Sequence, residues 1–152
     1  MRGTPEERFW KFVDVRGNDE CWICKRSTVL GGYTQIRIGP GRRKVYCHRF
    51  SYEIKNGKIP DGMFIDHICG NPACVNPVHL RVCTSYDNAR NTRVTSRNLC
   101  GVKGVQKRGD KWRARIRVDY KLINLGTYST LEEASSAYRD AATKYFGEFA
   151  KW

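Results

Sequence analysis

Asp66 and His67 stand side by side after a short apolar run, Met63-Phe64-Ile65, and form the pair in this chain best suited to acid-base and metal chemistry. Hydrolysis of a phosphodiester needs a base that activates water and a cation that stabilises charge on the phosphorane and the leaving oxygen. An imidazole can be the first, and a carboxylate can hold the second. Neighbours at a strand end point to opposite sides, so the two side chains need not compete for one ligand. Such a pair by itself is more often a satisfied core or surface contact, and its weight here comes from the cysteines and histidine just beyond it in the chain.

Cys69, Cys74 and His79 are spaced C-x4-C-x4-H across a loop rich in Gly, Asn and Pro. Zn²⁺ takes four tetrahedral sulfur or nitrogen ligands, and this loop supplies three. The fourth comes from elsewhere: Cys21 or Cys24, in Glu20-Cys21-Trp22-Ile23-Cys24, with Cys47 and Cys83 behind them. Four protein ligands leave no open position for water, so a zinc here is structural. The stretch MRGTPEERFW lacks the apolar core of a secretory signal, and no apolar run reaches the roughly 20 residues of a bilayer span. The expectation is an intracellular, cytoplasmic protein with no membrane partner. Its seven cysteines are then reduced and open to metal binding rather than disulfides.

Elements able to position these groups follow from the pattern. Thr4-Pro5-Glu6-Glu7 predicts a helix start, with Thr4 as N-cap and Glu7 closing a capping box before Phe9, Trp10, Phe12 and Val13; Gly17-Asn18 ends it. Alternation over Tyr33–Ile38, a turn at Gly39-Pro40-Gly41 and a return over Lys44–Cys47 predict a basic hairpin. Arg37, Arg42 and Arg43 lie near its tip, and a two-stranded ribbon fits a DNA groove. His48 to Lys55 reads as a short helix ended by Asn56-Gly57, and Met63–Ile65 as a strand leading to Asp66-His67. Residues 69–77 are loop, and a polar helix with Asp87, Asn88 and Arg90 starts at Ser85. Strand, loop and helix thus follow in order.

The run Ile65 to Leu80, with Asp66, His67, Cys69, Cys74, Asn76 and His79 in it, followed by Thr84 to Asn88, resembles the HNH endonucleases, also called His-Me finger or ββα-metal nucleases. Within that group it is similar to the zinc-containing homing endonucleases. The resemblance covers roughly Cys21 to Arg90 and includes Gly32-Tyr33 and His48-Arg49. It implies that His67 is the general base and that Asn88, on the following helix, binds the catalytic divalent ion, Mg²⁺ or another, with Asp66 as a second ligand. It implies that Asn76 pins the ββα loop by hydrogen bonding. It likewise supports zinc ligation by Cys69, Cys74 and His79 with an upstream cysteine. Cys21 is preferred over Cys24 because members often carry a Cys-Trp pair there. Arg49 can contact the scissile phosphate as a fixed guanidinium. His48 is either a second active-site group or a helix-capping residue.

The formal net charge is +13 with pI near 9.7, shared as +8 before Cys100 and +5 after it, which suits a folded polyanion binder. Beyond a Ser/Thr/Asn-bearing stretch, the pattern changes. Lys111, Arg113, Arg115 and Arg117 alternate with Trp112, Ala114, Ile116 and Val118, which puts one cationic face opposite one apolar face in a strand. Strands near Val105, over Trp112–Val118 and over Lys121–Tyr128 precede an Ala-rich helix, Leu131–Tyr145, that covers the apolar face. Gly104-Val105, Trp112-Arg113-Ala114, Leu125-Gly126-Thr127-Tyr128, Glu132-Glu133-Ala134, Ala137-Tyr138 and Ala141-Ala142 resemble the plant ethylene-response-factor type DNA-binding domain. In that family the sheet lies in the major groove. The matching contact positions are Lys103, Gln106, Arg108, Arg115, Arg117, Asn124, Thr127 and Tyr138, with Arg113 on the same cationic face. Arg115 stands where an acid is common and Asn124 where Trp is common, so base preference does not transfer.

The expected architecture is α+β: a ββα-metal HNH nuclease module with structural zinc over 1–93, a linker over 94–100, and a three-stranded antiparallel sheet packed on one helix over 101–152. The expected function is metal-dependent hydrolysis of double-stranded DNA, site-directed and homing-like, by a monomer or homodimer. The competing readings are a zinc-stabilised DNA-binding regulator without nuclease activity and, more weakly, an RNA-directed nuclease.

Overall fold

The computed structural model describes residues 3–39, 41–90 and 98–150. Pro40 of the expected turn and residues 94–97 of the expected linker lie outside the described residues. The chain divides into two compact units, Met1–Ser85 and Tyr86–Trp152.

The first unit opens with α1 (Pro5–Trp10). Thr4 caps it in a full capping box with Glu7, which satisfies two otherwise orphan backbone donors. The helix stops sooner than its pattern suggests. Phe12 N bonds Phe9 O in a turn, and Val13–Asp14 is β1, paired antiparallel with β2 (Ile23–Cys24). The pairing keeps Phe12 and Val13 apolar and inward without helix, because β-branched Val13 fits a strand better. Phe9 is fully buried and packs edge-on to Trp10 and Phe50 in a cluster with Cys24, Ile36, Cys47 and Val75.

β3 (Gln35–Ile38) and β4 (Arg43–Tyr46) form the hairpin, with Arg37 opposite Lys44 and Ile38 opposite Arg43. Cys47, expected in the second strand, is instead the first residue of α2 (Cys47–Asn56). Its burial beside Cys24 places it under the hairpin, and Gly57 ends α2 with a φ of 86° that favours glycine. β5 (Phe64–His67) pairs antiparallel with β6 (Leu80–Cys83), so Asp66 and His67 lie within the strand rather than after it. β6 was not among the expected strands, although Leu80-Arg81-Val82 alternates. Its partner is 13 residues or more away along the chain, across a loop, and the pattern is short. α3 (Ser85–Arg90) begins at the last residue of this unit.

The second unit contains a three-stranded antiparallel sheet ordered β7 (Val105–Arg108), β8 (Lys111–Val118), β9 (Lys121–Tyr128) and the helix α4 (Leu131–Phe146). Thr130 and Glu133 form a second capping box at the start of α4. Val105, Ala114 and Ile116 from the sheet are buried against Ala134, Tyr138, Ala141 and Ala142 from the helix. Small side chains bring helix and sheet close, and Gly104 is part of that fit. A Cβ there would stand 2.1 Å from the Tyr138 ring and 2.6 Å from Arg115 O, at a φ of +72°. No described helix is long and apolar enough to cross a membrane.

Candidate active site

Antiparallel register decides which face each group takes. Asp66 sits opposite Arg81 and His67 opposite Leu80, so the carboxylate and the imidazole leave β5 on opposite faces. Both are buried, 3% and 6% exposed. Arg81 reaches Asp66 Oδ2 with Nε at 3.0 Å and Nη2 at 2.9 Å. His67 Nε2 lies 3.1 Å from the carbonyl oxygen of Cys74. A carbonyl only accepts, so Nε2 carries the proton, and in the neutral ring Nδ1 carries the lone pair.

Aromatic rings wall the His67 imidazole. His48 meets it edge-on at 4.9 Å between centroids, and Tyr33 lies at 5.8 Å. Tyr33, Tyr46 and His48 also touch one another, at 5.2–5.9 Å. His48 is buried on the first turn of α2, and its Nδ1 has no hydrogen-bond partner among the described residues. Burial, with the nearby His67 and Arg49, pushes its pKa down to about 3, so this ring is neutral at ordinary pH. Arg49, one residue on, donates from Nη1 to Met63 O at 3.2 Å, which ties α2 to the entrance of β5. Asn88 lies on α3 with an exposed side chain.

The loop between β5 and β6 gathers a sulfur-rich cluster. One ligand atom each from Cys21, Cys69, Cys74 and His79 lies within 4.8 Å of the others. His79 Nδ1 is 3.8 Å from Cys21 Sγ and 3.7 Å from Cys74 Sγ. Cys21 is brought in by lacing between the β2 segment and the loop: Ile23 bridges Cys74, and Val75 N bonds Trp22 O at 2.8 Å. Cys24 is drawn away instead, its sulfur 3.4 Å from that of Cys47 in the apolar cluster. Between these ends lies Asn76, fully buried. Its Nδ2 donates to Asn18 O and Glu20 O, both at 2.8 Å, while its Oδ1 accepts from Val78 N at 3.1 Å. One amide thereby ties the backbone just before Cys21 to the 3-10 turn Pro77–His79. Burial raises the Cys74 thiol to about 12 and Cys69 above its usual value; a cation bound here releases those protons.

In the second unit, register puts Gln106, Arg113 and Thr127 in one row and Arg115 beside Asn124 in the next, on the sheet face opposite the buried Ala114 and Ile116. Arg108 faces Lys111 and Arg117 faces Leu122 on the same side. Arg115 donates to Gln106 Oε1 at 2.8 Å. Desolvation, with Arg115 and Arg108 as neighbours, lowers the pKa of Arg113, so like charges crowd here. Lys103 precedes the sheet, and Tyr138 is buried in the core. That burial takes Tyr138 out of reach of a ligand on the cationic face.

Arg81, Tyr33 and Ser51 are the residues that sequence reasoning missed in site roles. Ser51 donates to Val75 O beneath the loop. Tyr33 had a signal in the Gly32-Tyr33 pair of the resemblance, and Arg81 had one as the polar member of an alternating triplet that comes after His79.

The chain is 32% identical to protein 3.8 of Escherichia phage T7 over 122 residues, which cover 79% of this chain and 96% of the relative. The chain belongs to the protein 3.8 family. Within this family member, residues 45–90 match the HNH endonuclease family model, and the match spans α2, β5, the cysteine loop, β6 and α3. An HNH nuclease domain is thus part of this protein 3.8 relative. It is also 32% identical over 108 residues to an uncharacterized HNH endonuclease of Acanthamoeba polyphaga mimivirus, covering 70% of this chain and 56% of that protein. An ethylene-responsive transcription factor-like protein of Arabidopsis thaliana is 43% identical over 53 residues, 35% of this chain and 24% of that protein.

Proposed function

We propose that the protein is a metal-dependent endonuclease that hydrolyses double-stranded DNA, site-directed and homing-like, acting inside the host cell. The observation that carries this reading is the fixed tautomer of His67. Its Nε2–H is donated to Cys74 O, so the lone pair of the neutral ring, the base for water in this reading, sits on Nδ1, within a match to HNH endonucleases at 45–90. An imidazole suits that task because its unperturbed pKa lies near neutrality.

His67 takes a proton from water as the oxygen attacks phosphorus. Asp66 and Asn88 hold a divalent cation, which when bound supplies charge stabilisation to the phosphorane and the leaving 3′ oxygen. A carboxylate and an amide oxygen are hard donors, as Mg²⁺ or Mn²⁺ requires. The products carry 5′-phosphate and 3′-hydroxyl ends. Arg49, already aligned by Met63 O, contributes its guanidinium to the scissile phosphate.

Cys21, Cys69, Cys74 and His79 hold a structural zinc. A tetrahedral zinc with these ligand types has ligand-to-ligand edges of roughly 3.5–3.8 Å, and the 3.7 and 3.8 Å separations at His79 support that fit. Asn76 braces this loop. Residues 1–93 form the nuclease domain and 101–152 an ethylene-response-factor type domain that holds duplex DNA, joined by 94–100. The cationic sheet face supports that role, with Lys103, Gln106, Arg108, Arg113, Arg115, Arg117, Asn124 and Thr127 as contacts, and the 53-residue match to the plant protein is about the length of this domain. Arg37, Arg42 and Arg43 of the hairpin add phosphate contacts.

A supercoiled-plasmid nicking assay in Mg²⁺ tests the reading. Wild type is expected to cut, and His67→Ala to lose roughly 10²–10⁴-fold in rate. Undiminished cutting by His67→Ala rejects it.

A further inference from the structure

The pairing of β5 with β6 sets a guanidinium on the carboxylate that the proposed function assigns to the cation. Two donors, Nε and Nη2 of Arg81, converge on a single oxygen, Asp66 Oδ2, at 3.0 and 2.9 Å. The pair is enclosed, with side chains 15% and 4% exposed, and the two residues are direct cross-strand partners. Fold stability is a weak reason for such an arrangement, because desolvation of a buried ion pair commonly offsets its attraction and an apolar pair serves as well. Orientation is a better one. A carboxylate on a strand can turn about its terminal torsion, which is broad and roughly two-fold. Two charge-assisted hydrogen bonds to one oxygen stop that rotation and set the plane of the group. Arg81 also stands two residues after His79, at the start of β6, so the strand that leaves the cysteine cluster carries the clamp.

We propose that Arg81 is a positioning residue: its two-pronged contact with Oδ2 holds the Asp66 carboxylate in the orientation that binds the catalytic divalent cation. This rests on the reading of Asp66 as a ligand of that cation. Groups that orient metal ligands typically account for about 10- to 100-fold in metal affinity, although they never touch the ion.

The test is calorimetric titration of Mn²⁺ into the zinc-loaded, DNA-free protein, alongside nicking rates across a Mg²⁺ series. Wild type, Arg81→Gln, Arg81→Lys, Asp66→Asn and the double variant are compared. Arg81→Gln is expected to weaken Mn²⁺ binding and raise the half-saturating Mg²⁺ concentration by roughly 10- to 100-fold. Turnover at saturating Mg²⁺ falls less than affinity does. Arg81→Lys keeps the charge and loses the fork, and is expected to fall between wild type and Arg81→Gln. The double variant is no worse in Mn²⁺ affinity than Asp66→Asn. Unchanged Mn²⁺ affinity in Arg81→Gln, with weakened affinity in Asp66→Asn, overturns the proposal and leaves Asp66 as a ligand. Unchanged affinity in Asp66→Asn rejects Asp66 as a ligand and takes the proposal with it. If Arg81→Gln does not fold, Arg81→Lys decides, and wild-type affinity in that variant overturns the proposal.

Discussion

His67 donates from Nε2 to the main-chain carbonyl of Cys74 at 3.1 Å, and the thiol of the same Cys74 belongs to the Cys21–Cys69–Cys74–His79 cluster. The orientation of the imidazole is therefore tied to the geometry of the cysteine loop. Loss of metal from the cluster is expected to release the loop, lower thermal stability and slow cutting together. Chelation followed by calorimetry and nicking should show Tm falling by more than about 10 °C, since 1 kcal/mol moves a small domain by about 4–8 °C. Zinc returned to the protein should restore both. A stripped protein with unchanged Tm and cutting rate argues against any metal in the cluster.

Asn76 satisfies two carbonyls and one N–H from a fully buried position. Asn76→Ala leaves all three without that partner, and a cost of roughly 2–4 kcal/mol is expected. Urea denaturation measures it. A loss below about 0.5 kcal/mol would mean that the backbone near Asn18 and Glu20 finds other partners.

His48 gives stability a pH dependence whose sign is fixed by its depressed pKa. Folded, the ring takes a proton only near pH 3, because of burial and the neighbouring His67 and Arg49, with Tyr33 and Tyr46 as its other ring contacts. Unfolded, it takes one near its ordinary value of 6.5. Between these values the unfolded chain binds more protons, so stability is full above pH 6.5 and declines as pH falls toward 3. By pH 5 the loss of stability from this group is about 2 kcal/mol. His48→Phe keeps the ring and removes the proton site, so denaturation curves at pH 7 and pH 5 should differ less for the variant than for wild type. Equal differences would refute the assignment.

On the cationic sheet face, Arg113, Arg115 and Arg117 come from alternate positions of β8. Replacing all three with Ala is expected to weaken duplex binding and to flatten its salt dependence by about 0.9 in log–log slope for each phosphate no longer neutralised. Fluorescence anisotropy across a salt series reads both. An unaltered slope would place the phosphate contacts elsewhere.

Gly104→Ala is expected to destabilise the second unit by roughly 2–4 kcal/mol, the sum of a left-handed backbone and a clash with Tyr138. Differential scanning calorimetry measures this. A neutral substitution would require Tyr138 to move with little cost.

Much of the local structure could be read from residue types alone. The capping box of α1, the glycine at the end of α2 and the alternation in β8 are set by neighbours within a few positions, where propensity and periodicity act. The chemistry-bearing groups Asp66, His67, Cys69, Cys74 and His79 were legible for the same reason, since their spacing lies within one loop and the strand before it. Contacts between distant segments were not. Whether Cys21 or Cys24 joins the cluster depends on how the β2 segment laces to the cysteine loop, and only that pairing draws Cys24 to Cys47 instead. The same holds for Arg81, whose hold on Asp66 follows from register between β5 and β6, and for His48, whose neutrality follows from burial against His67. The sequence thus determined which groups can do chemistry. Tertiary structure alone decided which hydrogen bonds and neighbours hold them, because register and burial are set by packing between segments far apart in the chain.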